Sequence, residues 1–77
     1  MESKEMMAVH KESLIGVVSN CKNLNIRREP DMNAEVLGII PVDTEVMIDE
    51  NESISEFYKI YTTFGLEGFC MKKYIAV

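Results

Sequence analysis

The sequence predicts an all-β domain: a small barrel, or a pair of packed sheets, built from five to seven short antiparallel strands. Three observations carry that reading. Short runs rich in Val, Ile, Tyr and Phe recur at even spacing along the 77 residues. The segments between them are Gly, Pro, Asn, Asp and Ser clusters, the chemistry of tight turns. No internal repeat and no low-complexity segment interrupts the pattern.

Residues 1–12 are polar and charged around Met6, Met7, Ala8 and Val9. A helix of one or two turns is marginal alone, so this stretch is expected to be a flexible or partly helical tail. The barrel is assigned to 13–77. Leu14 to Ser19 reads as the first strand, and Asn20 to Asn23 as a turn. Leu24-Asn25-Ile26-Arg27 alternates apolar and polar, the period of a half-buried strand, with Leu24 and Ile26 facing in. Arg28 to Asn33 is a loop, in which Pro30 forces extended geometry on Glu29. Val36 to Ile40 is expected to be a buried strand, with Gly38 marking a close backbone approach or a bulge. Pro41 to Thr44 turns the chain. Glu45 to Asp49 is a strand with Val46 and Ile48 on one face, and Glu50 to Ser55 a polar loop. Glu56 to Thr63 alternates cleanly, with Tyr58, Ile60 and Thr62 on one side and Phe57, Lys59 and Tyr61 on the other. Phe64 to Glu67 is a hairpin connection with Gly65 available for positive φ. Gly68 to Met71 returns, Lys72-Lys73-Tyr74 makes one short 3-10 turn, and Ile75-Ala76-Val77 closes.

A domain of this length buries only about 60% of its unfolded surface, so its stability margin is thin. With three Tyr, three Phe and no Trp, the core must rest on Val, Ile, Leu and Met. The net charge of −5 argues against a nucleic-acid partner, which needs a basic stripe to displace phosphate counterions, and more weakly against adhesion to anionic membranes or anionic wall polymers by charge alone. No stretch approaches the roughly 18 apolar residues of a membrane span. The N-terminus has no apolar run of signal-peptide type, so the chain is expected to be cytoplasmic as synthesised or to be cut from a larger protein. Two cysteines, Cys21 and Cys70, are too few for a disulfide framework. They act either as small buried hydrophobes in strand-like settings or as one bridge, which needs Cα atoms within about 7 Å.

These residues, in this order, resemble the bacterial Src-homology-3-like (SH3b) domains of cell-wall hydrolases, phage lysins and small stand-alone bacterial or phage proteins. The family pattern opens with a strand and Leu-Asn-Val-Arg, matched by Leu24-Asn25-Ile26-Arg27. Pro30 and Val36-Leu37-Gly38 match the loop and strand that follow. Phe57-Tyr58-Lys59-Ile60 stands for Trp-x-Lys-Val, Gly68-Phe69-Cys70 for Gly-Trp-Val, and Tyr74-Ile75 for the Tyr-Leu close. Both Trp positions are Phe here, and Asp43 replaces a frequent Gly before the Val-rich strand. The proline-peptide signatures of eukaryotic relatives are absent. The resemblance implies an SH3-like barrel and a non-catalytic module, in many relatives one that holds a hydrolase on the wall by binding wall peptide.

Candidate chemistry is sparse. The single His, His10, lies in the tail, away from Cys21 and Cys70, whereas a Cys-His pair needs hydrogen-bond reach. Asp49, Asn51 and Ser53 imitate the first ligands of a calcium loop. The match then fails, because Ile54 replaces the required Gly and Ile60 the closing Glu. No metal, cofactor or catalytic residue is assigned. The acids Asp43, Glu45, Asp49, Glu50, Glu52 and Glu56 follow one another with no Lys or Arg between them. They either blunt sheet edges or, through Asp49, Glu50, Glu52 and Glu56, form a patch for a basic partner. Phe57, Tyr61, Phe64 and Phe69 are the ligand-binding candidates, a shallow groove of cross-strand neighbours. Leu24, Asn25, Ile26, Arg27 and Gly68 are structural, with Arg27 expected to bond loop carbonyls. The expected function is a binding module for peptidoglycan peptide acting at the cell wall, or alternatively a protein-interaction or structural module in the cytoplasm or a phage particle. The apolar Ile75-Ala76-Val77 edge leaves homo-oligomerisation open.

Overall fold

Seven strands alternate with turns in the computed structural model, which describes residues 13–77; the tail expected over 1–12, with Met6, Met7 and His10, lies outside the described residues. The strands are β1 (Ser13–Val18), β2 (Asn23–Arg27), β3 (Val36–Pro41), β4 (Glu45–Ile54), β5 (Phe57–Tyr61), β6 (Glu67–Met71) and β7 (Ile75–Ala76), with a 3-10 turn at Lys72–Tyr74. They form one sheet in the order β3-β2-β6-β5-β4-β1-β7, and all pairings are antiparallel.

Alternation decides which side chains go inside. Val18, Leu24, Ile26, Ile40, Val46, Ile48, Ile60, Cys70 and Ile75 form one buried cluster, to which every strand contributes. A single sheet can do this only by curling around the cluster. Each fully buried Ile or Val contributes about 1.5–3 kcal/mol, and Ile26, Ile48 and Ile60 are completely covered. The curl does not close into a hydrogen-bonded barrel, because β3 and β7 are the ends of the strand order. β7 is two residues long and offers few groups to pair. β3 ends on Pro41, which has no N–H to donate.

Three expectations about strands change. Val36 to Ile40 is an edge strand rather than a buried one. Val36 is 41% and Ile39 60% exposed, and only Ile40 reaches the core. With a neighbour on one side alone, β3 lies too far out for its alternate residues to be covered. Its register slips between Gly38 and Val36, a bulge opposite Ile26 and Arg27, and Gly38 packs against the Leu66 side chain. The polar stretch Glu50 to Ser55 is not a loop. β4 continues through it to Ile54, and the turn is only Ser55-Glu56, with Ser55 at φ 53°. Cys21 sits in the β1–β2 turn rather than on a strand.

Turn chemistry fixes the rest. Asn20 and Asp43 take positive φ, 62° and 74°, which Asn and Asp tolerate better than most side chains. The β5–β6 hairpin is stapled by Thr62: its Oγ1 donates to the Leu66 carbonyl (3.1 Å) and accepts from the Leu66 N–H (2.9 Å). Gly65 supplies the left-handed residue, φ 95°. Gly68 is needed for a different reason. A Cβ there would lie 2.5 Å from the Arg27 carbonyl oxygen, so the backbones of β6 and β2 could not come together.

These two glycines should separate in a urea titration. Gly68→Ala forces backbone apart and is expected to cost about 3 kcal/mol or more. Gly65→Ala meets open space and pays only the left-handed backbone penalty, about 1–2 kcal/mol. Equal losses would show that β6 does not press on β2.

Candidate functional site

Register places a charged and aromatic row across the outer surface of the sheet. Asp49 of β4 pairs with Lys59 of β5, Lys59 with Phe69 of β6, and Phe69 with Arg27 of β2. Paired residues point to one face, so these side chains stand side by side. The next row outward runs Ile15, Met47, Tyr61, Glu67.

Lys59 is the centre of this surface. Its ammonium lies 5.1 Å from the Phe69 ring centroid and 5.7 Å from that of Tyr61. It is 3.6 Å from Glu67 and 3.9 Å from Glu52. The side chain is only 14% exposed, its stem lying along the strands while the charge sits among rings and carboxylates. The Tyr61 hydroxyl reaches Asp49 Oδ2 at 3.5 Å. Desolvation is the largest influence on that phenol and raises its pKa; Asp49, Glu67 and Glu52 raise it further, against the opposing charge of Lys59. It therefore stays a neutral hydrogen-bond donor through the physiological range.

The calcium-like spacing has a structural explanation. Asp49 Oδ1 accepts from the N–H groups of Asn51 (3.0 Å) and Glu52 (3.4 Å). Ser53 Oγ donates to the Asp49 carbonyl (2.9 Å) and accepts from the Lys59 N–H (3.0 Å). The three-residue slip between Asp49–Lys59 and Ile54–Phe57 is held together by these bonds. Among the described residues, no three His, Cys, Asp or Glu side chains converge as a metal-ligand group.

The acidic candidates therefore divide. Asp49 and Glu52 face Lys59, where Glu67 of β6 joins them, a carboxylate whose part only the register reveals. Glu50 is exposed. Glu56 is in the hairpin turn, its carbonyl accepting from the Lys72 N–H, and shares a shallow hollow with Lys72 and Lys73. The aromatic candidates divide as well. Tyr61 and Phe69 meet around Lys59. Phe57, at the far end of β5, is 7% exposed and covered between Ile54 and Met71. Phe64, at the hairpin tip beyond the other end, is 64% exposed. The four do not line one groove.

Apart from this surface, a concavity of about 220 Å³ opens where β2 and β6 part. Past their single register pair, Arg27 with Phe69, Asn23 and Asn25 diverge from Cys70 and Met71. Phe57, Tyr74, Met32 and Cys21 complete the walls. Arg27 Nη1 donates to the Ala34 carbonyl at 2.9 Å and so ties the β2–β3 loop to the mouth of this cleft. Both cysteines are free thiols. Burial, and secondarily the neighbouring Cys21, pushes the Cys70 thiol from 9.0 up to about 12.

A model of the family described as "Bacterial SH3 domain" matches residues 22–76. The match takes in β2 through β7 and begins after β1. No curated protein matches the chain.

The Cys70 thiol makes a pH-dependent contribution of known sign. Below pH about 9 the thiol is protonated in both folded and unfolded chains. Between 9.0 and about 12 the unfolded thiol ionises while the folded one does not, so stability is lost as pH rises. Urea titrations under reducing conditions should show Cys70→Val losing less stability than the natural chain between pH about 8.5 and 10.5. Parallel losses would mean that Cys70 is not shielded.

Proposed function

This chain belongs to the bacterial SH3 domain family, a family commonly binding peptidoglycan, and we propose that it is a non-catalytic module whose β4–β5–β6 outer face takes an amine-bearing cell-wall peptide. The observation that carries this reading is the Lys59 site. Two rings and two carboxylates already surround one ammonium there, so the face has the chemistry that attracts amines. With Asp49 beside them, the carboxylates Asp49, Glu52 and Glu67 outnumber the ammonium they enclose. The surplus negative charge attracts a second basic group rather than an acidic one. Ile15, 56% exposed, and Met47, 36% exposed, lie beside Tyr61 and supply apolar surface for the aliphatic part of such a ligand.

The family is generally non-catalytic. Cys70, one of the two thiols, is buried and protonated, which suits packing rather than nucleophilic attack. In this reading the domain targets a wall hydrolase or phage lysin, or acts alone at the wall.

One observation favours the rival reading, a protein-interaction or structural module in the cytoplasm or a phage particle. The β3 edge exposes Val36, Leu37 and Ile39 on a strand with one unpaired side, the arrangement that accepts a strand from another protein.

Retention on purified peptidoglycan decides between them. The wall reading expects binding at low salt that weakens as salt screens the carboxylates, and loss of binding when the wall's free amines are acetylated. A Glu52→Gln, Glu67→Gln double variant should lose about 2- to 30-fold in retention, from about 0.2–1 kcal/mol per exposed charge pair. No retention at low salt would overturn the wall reading.

A further inference from the structure

The Lys59 ammonium is held by attractions that any other alkylammonium in its place would feel equally. It faces the Phe69 and Tyr61 rings at 5.1 and 5.7 Å from their centroids. Glu67 and Glu52 stand 3.6 and 3.9 Å away. Both distances exceed the roughly 2.7–3.2 Å of an N–H···O hydrogen bond, so charge and ring faces enclose the ammonium without a close directed bond to either carboxylate. The backbone of Lys59 is anchored separately, by its ladder pairing with Asp49 and Phe69 and by its N–H donating to Ser53 Oγ at 3.0 Å. Its flexible four-carbon stem can therefore swing the charge out into water without disturbing the sheet.

A hollow of about 380 Å³ opens beside this enclosure, with Lys59 and Glu67 on one side and Leu37 and Leu66 on another. Leu37 is 36% exposed. Leu66 is packed over Gly38, where a Cβ would lie 2.9 Å from its Cδ2. Arg28, also on the wall, is already paired with Glu35 at 3.0 Å. The hollow thus offers apolar surface to an aliphatic chain whose end reaches the rings and carboxylates. Two ammonium groups crowded between the same two rings repel each other, so a second one enters as Lys59 leaves.

We infer that Lys59 is the internal occupant of an alkylammonium site, and that a ligand binds by putting its own ammonium in place of Lys59 with its aliphatic stem on Leu37 and Leu66. The inference rests on the reading of this face as an amine site and adds the residue that sets its affinity. Lys59 is a tethered competitor. A ligand binds only those molecules whose lysine has swung out, and a minor state of about 0.1–10% weakens the apparent affinity by that same fraction.

The probe is n-butylammonium chloride, with sodium chloride at equal ionic strength as the control. In the natural full chain the Lys59 ε-methylene protons lie over two rings and resonate upfield of an ordinary lysine. The probe is expected to return them toward the ordinary position, and sodium chloride is not. Lys59→Thr, short and suited to a strand, should bind the probe about tenfold or more tightly than the natural chain, read from the Glu67 and Phe69 amide shifts. The inference is overturned if the Lys59 resonances stay put in n-butylammonium, whether or not Glu67 and Phe69 respond. A response of Glu67 and Phe69 alone would place the amine beside Lys59 and leave the wall reading standing. It is overturned equally by a Lys59→Thr chain that keeps the native amide spectrum and gains no affinity. The first readout needs no substitution, so the decision does not hang on the variant folding. The wall reading fails by a separate result, absence of retention on peptidoglycan.

Discussion

β6 meets β2 at Gly68, where the absence of a side chain lets the two backbones approach. A Cβ at that position would lie 2.5 Å from the Arg27 carbonyl oxygen and 2.8 Å from the Ile26 side chain. Apart from side-chain packing such as Leu66 against Gly38, the β5–β6 and β2–β3 hairpins are separate arms of the sheet. Their one register pair, Arg27 with Phe69, joins them and lets Ile26 and Cys70 share a core with Ile48 and Ile60. A small domain has little surplus burial to spend, so this seam matters more than any single side chain in the core.

The seam also shapes two surfaces, the outer face around Lys59 and the cleft between β2 and β6. On the outer face it sets Phe69 beside Lys59 and Arg27, completing a row that starts at Asp49. Just beyond the seam the strands part, and Cys70 and Met71 border the opening together with Cys21 of the β1–β2 turn and Met32 of the β2–β3 loop. One surface is aromatic and acidic and gathers around an ammonium. The other is walled by sulfur-containing and aromatic residues together with Asn23, Asn25 and Arg27. Their chemistries differ because alternation along β6 sends Phe69 outward and Cys70 inward.

Much of this was legible in the residues. Leu24-Asn25-Ile26-Arg27, the Val46 and Ile48 pair and the Gly65 turn announced strands and a hairpin through local period and turn chemistry, and the motif order announced the family. What was hidden depended on register. The period of two puts Lys59 between Phe57 and Tyr61, but nothing local says that Phe69 and Glu67 stand opposite and make Lys59 the centre of a site. The polarity of Glu50 to Ser55 suggested a loop because the side chains that bond the backbone there, Asp49 and Ser53, look like loop residues in isolation. Val36 to Ile40 looked buried because hydrophobicity does not reveal whether a strand has one neighbour or two.

The account rests most heavily on the Lys59 surface as the place where ligand meets protein. Amide chemical shifts of the isotopically labelled chain, followed while a wall-derived peptide with a free amine is added, address that directly. The account predicts that the largest changes cluster at Lys59, Tyr61, Glu67 and Phe69, while Asn23 and Tyr74 in the cleft hold still. Changes centred on the cleft or on the β3 edge, or no changes at millimolar peptide, would contradict it.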